Sequence, residues 1–566
     1  MSNTTRLFSS VPVEQQKASS FDMSFYSLGS AKCGQLIPVF KQDIIPGDLV
    51  SLGIMSQIDL PPMAANFMGR IDMRYEAFFV PNRICWGGWE DFMTKQSDDP
   101  YSRDIVRSSH LPYITFSSVD NLYSLERRVG RSTLFDYLGY RFDGSSADNL
   151  LHPLGLSVGA DDVICDNALC FLAYHRIYDD WYRNSQIQKP LFVRSTGNTF
   201  GIASFPWLQF DDNTHKPVID LFTESSDYST FDNGDEIDTI HQRNWADDRF
   251  TTLALYPQAA LQPQAASVVV TQSADKSVSA ASLSIPTLRA ANILQRYKEL
   301  KNLAGERYPD QLYAEYGVRP ADAILDRPLF IGSFSHGVYT SAIFQNSATD
   351  KGNSKNPFSN QLGSSAGDTS GFGKNSLING FKATEHGYVI VIGSLVPHCF
   401  YSNGIDGDLL QSRIGDIASP KLQGLGEQSV HTSEIVGSFP SGAAATKIFG
   451  YTPQYSRYKY RNDEVHGELR DTALSANSGT LRVFALQRSL KSASQSLDSS
   501  FIEIPSDFLD QVFAVTSEQS GYGYMWYIQW QLTMTRPLAE YIIPTLGDPK
   551  DTYTTRIPLR GKQIKG

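Results

Sequence analysis

Several residues of this chain are of types that could hold a proton, a metal ion or a phosphate. Adjacent acids occur at Asp98/Asp99, Asp161/Asp162, Asp179/Asp180 and Asp247/Asp248. Glycosidic hydrolysis needs two carboxyl groups facing each other across a cleft, and adjacency in sequence does not supply that. These pairs read as solvated turns and helix faces. None of the ten histidines forms an H-E-x-x-H motif or a pair at ligand spacing on a helix. His175, between Tyr174 and Arg176, reads as a hydrogen-bonding or interface residue rather than a ligand. Glu385-His386 offers an acid and a base without a nucleophile, so it reads as a turn into a strand. Gly371-Phe-Gly373-Lys374 and Gly521-Tyr-Gly523 do not complete a Walker or dinucleotide pattern. The expectation is no catalytic residue, no metal and no cofactor.

Two basic clusters suggest a different chemistry. Residues 552–566 run TYTTRIPLRGKQIKG, holding Arg556, Arg560, Lys562 and Lys565 and no acid. Four cations on a flexible end can bind phosphate without sequence preference; a solvated terminus is the plain alternative. Between Tyr451 and Arg461, four tyrosines interleave with Arg457, Lys459 and Arg461. Aromatic faces beside cations can bind single-stranded nucleic acid. The same alternation builds an ordinary edge or interface strand, which is the reading preferred for this stretch.

The elements that must position these groups are mainly β. From Arg70 to Val80, Ile71, Met73, Tyr75, Ala77 and Phe79 share one face, with Arg70, Asp72, Arg74 and Glu76 on the other. Ile528 to Thr535 alternates in the same way, which marks antiparallel strands half-covered by core. Tyr388 to Ile392 is a β-branched run between Gly387 and Gly393 and predicts a strand buried on both faces. Helical spacing appears over Asn167–Asn184, with Leu169, Leu172, Ile177 and Trp181 apolar. It appears again over Thr287–Ala304, between Pro286 and Gly305, and in a shorter Asp310–Tyr316 stretch. Ala259–Ser284 and Ser347–Ser376 read as exposed polar loops.

Bulk properties agree. At 566 residues the chain has room for two to four domains or for one large β-core with insertions. Its 28 Tyr and 32 Phe suit strands. No apolar run is long enough for a membrane-spanning helix, and the polar N-terminus predicts no secretory signal. Five scattered cysteines (Cys33, Cys85, Cys165, Cys170 and Cys399) fit neither a disulfide framework nor a zinc site. A net charge of −11 disfavours a surface that neutralises nucleic acid everywhere.

A series of motifs then becomes recognisable in order. Pro46-Gly47-Asp48 follows the Gly34 to Pro38 stretch. Next come Ala77-Phe-Phe-Val-Pro81-Asn-Arg83-Ile-Cys-Trp86-Gly-Gly-Trp89-Glu-Asp-Phe92 and Leu169 to Trp181-Tyr-Arg183. Later come Arg243-Asn-Trp to Phe250-Thr251 with Tyr256-Pro257-Gln258, Arg307-Tyr308, Tyr316-Gly317-Val318 and Arg327-Pro328 to Gly332. Glu385 to Ile390 and Phe449-Gly450-Tyr451 with Tyr458 to Arg461 complete the set. This order resembles the major capsid proteins of microviruses, particularly the gokushovirus-like ones, over residues 34–470. The helix motif departs from the family pattern, with Cys-Phe-Leu for Pro-Phe-Arg and Asp179-Asp180 for Asn-Glu.

The resemblance implies a single domain over residues 1–566, an eight-stranded antiparallel jelly roll with mostly helical and loop insertions at 165–305. It implies a structural protein without enzymatic activity that self-assembles into a T=1 icosahedral shell around circular single-stranded DNA. Pro81, Arg83, Trp86, Trp89, Phe92, Trp181 and Arg183 are its structural motif residues. Expected partners are further copies of the chain, the DNA genome, a small basic DNA-associated protein, a minor DNA-pilot protein and a receptor on the bacterial surface. The expected location is the virion, assembled in the host bacterial cytoplasm. A β-sandwich carbohydrate-binding protein or glycosidase is the alternative.

Overall fold

The computed structural model describes residues 18–65, 67–94, 111–116, 130–140, 162–191, 208–210, 217–220, 238–256, 327–344, 365–411, 416–421, 423, 426–436, 447–470, 481–488, 490 and 496–538. The first five strands are β1 (Ser19–Asp22), β2 (Phe25–Ala31), β3 (Ile37–Ile44), β4 (Leu49–Asp59) and β5 (Ile71–Pro81). A small satellite sheet uses β6 (Tyr113–Phe116), β7 (Asp162–Cys165), β8 (Leu208–Phe210) and β9 (Pro217–Asp220). The chain then returns through β10 (Leu329–Phe344), β11 (Ser365–Lys382) and β12 (Gly387–Pro397). Short pairs follow, β13 (Phe400–Tyr401) with β16 (Gln487–Arg488) and β14 (Glu427–His431) with β15 (Ile448–Pro453), before β17 (Tyr524–Arg536).

Two antiparallel sheets share β10. Its first half, Leu329 to Val338, pairs with β5, and its second half, Tyr339 to Phe344, pairs with β11. One sheet runs β3-β12-β5-β10; the other runs β10-β11-β4-β17, with β1 and β2 both on β17. Early and late strands therefore alternate in each sheet. Leaving out β1, this is the Greek-key order that a jelly roll requires.

The inward rows of both sheets form one core. Val50, Leu52, Ile54 and Ile58 of β4 meet Trp526, Ile528, Trp530, Leu532 and Met534 of β17, together with Met73, Tyr75, Ala77 and Phe79 of β5. The Trp530 ring lies 5.0 Å from that of Phe40, centroid to centroid. The turn after β3 is pinned to the end of β17. Gly47 takes φ +94°, a conformation costly for other residues, and presents Asp48 to the interior. The Asp48 carboxylate accepts from the Ile45 N–H at 3.1 Å and pairs with Arg536 Nε at 3.2 Å.

Three expectations need correction. The last part of Ser347–Ser376 is not a loop: from Ser365 onward it is β11, paired with β10 and then with β4. Its small residues have a packing role, because a Cβ on Gly373 would lie 2.7 Å from the Phe334 ring. Residues 347–364 lie outside the described residues. The Tyr451–Arg461 stretch is not one strand either. β15 ends at Pro453, Tyr455 turns to φ 63°, and Ser456–Tyr458 forms a 3-10 turn. The paired acids Asp179 and Asp180 are not solvated; each is nearly buried against an arginine. The expected helices at 287–304 and 310–316 and the Ala259–Ser284 loop lie outside the described residues.

Trp530 has no exposed surface. Trp530→Ala is expected to cost about 3–5 kcal/mol of stability, measurable as a lowered denaturant midpoint of the unassembled subunit.

Candidate functional site

The Ala77 to Phe92 motif forms a corner where β5 leaves the sheet. Pro81, with φ −63°, leads into helix α1 (Asn82–Cys85), and a second short helix, α2 (Trp89–Thr94), follows. The Asn82 N–H donates to the His386 carbonyl at 3.0 Å, tying the corner to the turn before β12. Arg83 pairs with Glu385 at 3.3 Å, so that acid serves as an ion-pair partner. Trp86 is buried, and its ring lies 6.2 Å from that of Phe92. Trp89 stands 6.0 Å from Phe92 and 5.7 Å from His386. These are packing contacts between an aromatic corner and a strand entry.

The helical insertion docks on the outer side of the same sheet. Helix α3 (Leu134–Tyr137) supplies Leu134 and Phe135, and α4 (Leu169–Ile177) buries eight of its nine residues. Against them lie Phe78 and Val80 of β5 and Ile390 and Ile392 of β12. Beyond Ile177 the helix widens into one π turn, Tyr178–Tyr182. Arg176–Asp180 and Arg183–Asp179 are ion pairs, both at 2.7 Å, one helical turn apart. Asp179 also accepts from the Leu191 N–H at 3.1 Å. Trp181 is partly exposed; its indole N–H donates to the Pro328 carbonyl at 2.9 Å, and the Arg327 guanidinium lies 4.6 Å over its ring.

A polar seam joins insertion to sheet, and sequence spacing gave no sign of it. Glu76 points from β5 into the seam. Arg243 donates to its two carboxylate oxygens at 2.8 and 3.1 Å and to Ser394 Oγ of β12 at 2.8 Å. The Tyr182 hydroxyl donates to the same carboxylate. Burial pushes the Glu76 carboxyl up, but the Arg243 hydrogen bonds and charge outweigh it and hold the group below its ordinary value. Alongside, Tyr174 donates to the Leu36 carbonyl at 2.8 Å and accepts from the His241 N–H at 3.0 Å. His175 Nδ1 and His241 Nε2 are 2.8 Å apart and both buried, so one donates and the other accepts. The Tyr178 ring stacks on His241 at 3.7 Å.

This seam holds protein to protein. Its histidines are bonded to each other and closed to solvent, and the Glu76 carboxylate, 21% exposed, is taken up by Arg243 and Tyr182. Among the described residues, no group of three or more His, Cys, Asp or Glu could hold a metal ion. The strings Gly155-Leu-Ser157-Val-Gly159 and Gly363-Ser-Ser365-Ala-Gly367 have nucleophile-elbow spacing. An elbow needs a strand-to-helix turn, and Ser365 instead opens β11, while the first string lies outside the described residues. Arg556, Arg560, Lys562 and Lys565 also lie outside them.

Two predictions follow from the seam. Removing Arg243 leaves Glu76 buried without its cation, and Arg243→Ala is expected to cost about 3–5 kcal/mol, read from denaturant unfolding. Burial, with His175 beside it, holds His241 well below its ordinary 6.5. A depressed histidine stabilises the fold fully above the unfolded value and loses that contribution as pH falls below it. Stability should therefore fall by up to about 1.4 kcal/mol per pH unit below pH ~6.5. His241→Gln should flatten that slope between pH 6.5 and 5; an unchanged slope would count against the role given to His241.

Comparison with known proteins agrees with this picture. A phage family model described as capsid protein (F protein) matches residues 9–126 and 198–546. Capsid protein VP1 of Chlamydia phage 1 is 25% identical over 95% of this chain and 97% of that protein. Capsid protein VP1 of Bdellovibrio phage phiMH2K is 23% identical over the same shares, and that of Spiroplasma virus 4 is 24% identical over 78% and 80%. The match runs through both sheets and the Arg243 segment, and the chain belongs to the phage capsid protein (F protein) family, whose role is structural.

Proposed function

We propose that this capsid protein assembles into a T=1 icosahedral shell around circular single-stranded DNA. The observation that carries the assembly reading is the outward face of the β17 sheet. Met525, Tyr527, Gln529, Gln531 and Thr533 alternate with the buried row of β17 and include no charge. Tyr26 and Leu28 of β2 and Phe372 of β11 are well exposed, and Tyr26 stacks on Tyr527 at 5.8 Å. Lys374 of β11 is a charge beside this row, but surface rich in tyrosine and methionine is the composition of buried protein contacts. Further copies of the chain are the occupants we assign to this face.

The charge of −11 argues that the subunit does not condense DNA alone. A small basic DNA-associated protein would supply the missing cations, with Arg556, Arg560, Lys562 and Lys565 as the subunit's own contacts. A minor DNA-pilot protein and a bacterial surface receptor complete the proposed partners, with assembly in the host cytoplasm. No helix among the described residues is long and apolar enough to cross a membrane. The carbohydrate alternative gains nothing from Asp179 and Asp180, each of which is held by an arginine.

Electron microscopy of the expressed chain tests the shell; particles or pentamers are expected, and persistent monomers would refute it. Deleting residues 552–566 should lower packaged DNA per particle, measured by absorbance ratio and nuclease protection. Normal packaging would remove the tail from the proposal.

A further inference from the structure

Next to a separate hydrophobic cluster around Phe250, Tyr401 and Phe449 lies an open cavity of about 430 Å³. We propose that this cleft binds a nucleotide of single-stranded DNA, its base stacked on Tyr458 or Tyr460 and its phosphate met by Arg461 and Arg470. The proposal rests on the reading that the shell encloses such DNA.

The cleft is built on a rigid floor. Arg249 pairs with Glu434 at 2.6 Å, both nine-tenths buried, and Arg249 Nε donates to Ser456 Oγ at 3.3 Å. That contact holds the 3-10 turn Ser456–Tyr458. The turn starts from Tyr455, whose left-handed φ of 63° is costly for a non-glycine residue and is fixed by donation of its N–H to Gln428 Oε1 at 3.0 Å. The result is an aromatic pair left in solvent, Tyr458 55% and Tyr460 47% exposed. The Arg457 guanidinium lies 4.6 Å over the Tyr458 ring and Tyr455 meets that ring edge-on at 6.2 Å, which holds Tyr458 in place beside the exposed Tyr460 ring.

The remaining lining matches the parts of a nucleotide. Arg461 is 78% exposed with one contact, to Glu464 at 3.5 Å, and Arg470 lines the same space. Asp406 and Asp408 approach from the segment after β13 and offer acceptors for exocyclic amines such as cytosine N4. Arginines 249, 457, 461 and 470 are balanced by Asp406, Asp408, Glu434 and Glu464. Charge attraction is therefore small, and stacking must supply most of the affinity. This separates the cleft from the basic tail, whose binding would be strongly salt-dependent.

The test is fluorescence anisotropy of the full-length protein with a single-stranded oligopyrimidine at two salt concentrations. Tyr458→Ala combined with Tyr460→Ala should weaken binding by about tenfold or more, with unchanged circular dichroism. Tyr458→Phe with Tyr460→Phe should bind within about twofold of the unmutated chain, because the ring faces remain. Equal binding by the alanine variant, equal loss in the phenylalanine variant, or no binding by the unmutated chain would each overturn the proposal. So would loss of particles rather than of DNA binding in the alanine variant, which would mark the cleft as a subunit contact. Particles that package DNA while the alanine variant binds normally would leave the shell reading standing and remove only the cleft.

Discussion

Burial on both faces of β12 and of the second half of β5, Ala77 to Pro81, is the constraint on which the rest of the structure depends. One face of each strand completes the core between the sheets, and the other lies under the helical insertion. Side chains on such strands have no water to turn to, so any polar group among them must meet a protein partner. Most positions avoid the problem by being apolar. Ser394 within this region and Glu76 at its border do not, and both are satisfied by the same guanidinium, Arg243, with Tyr182 adding a second donor to the acid.

That requirement organises the insertion. The segment carrying His241 and Arg243 must pass between β3 and α4, where the Leu36 N–H donates to the His241 carbonyl and the Arg243 N–H to the Gly34 carbonyl. Helix α4 must then present Tyr174 and His175 toward the segment while burying its other residues. The π turn that follows places Tyr182 over Glu76 and keeps Asp179 and Asp180 against arginines. Ionisable groups of the types that perform catalysis are consumed in holding the insertion to the sheet. A subunit whose task is mechanical gains from this, because hydrogen-bonded histidines and paired charges tolerate burial where free ones would not.

Some of this architecture was legible in the residues. Period two in Arg70–Val80 and Ile528–Thr535, and the unbroken run at Tyr388–Ile392, marked the strands that now form β5, β17 and β12, and the doubly buried character of β12 was readable too. Other features misled for physical reasons. Glycine and serine usually mark turns and loops, so the opening of β11 read as a loop, but close packing against Phe334 and His336 calls for glycine in this strand. Alternating tyrosines and cations after Tyr451 imitated a strand, but the left-handed Tyr455 breaks the period. Asp179 and Asp180 looked solvated because their arginines lie four residues away on a helix whose depth in the fold the sequence does not state.

By itself, the sequence determined the family and the strand-rich class, because ordered motifs and local periodicity are properties of neighbouring residues. It also determined that the chain is acidic with basic groups gathered near its end. Tertiary structure alone decided that Glu76 meets Arg243, that His175 meets His241, and that Tyr458 and Tyr460 stand at the mouth of a cleft. Those partners are brought together by sheet order and by docking of the insertion. Contacts between residues so distant along the chain leave no spacing to read.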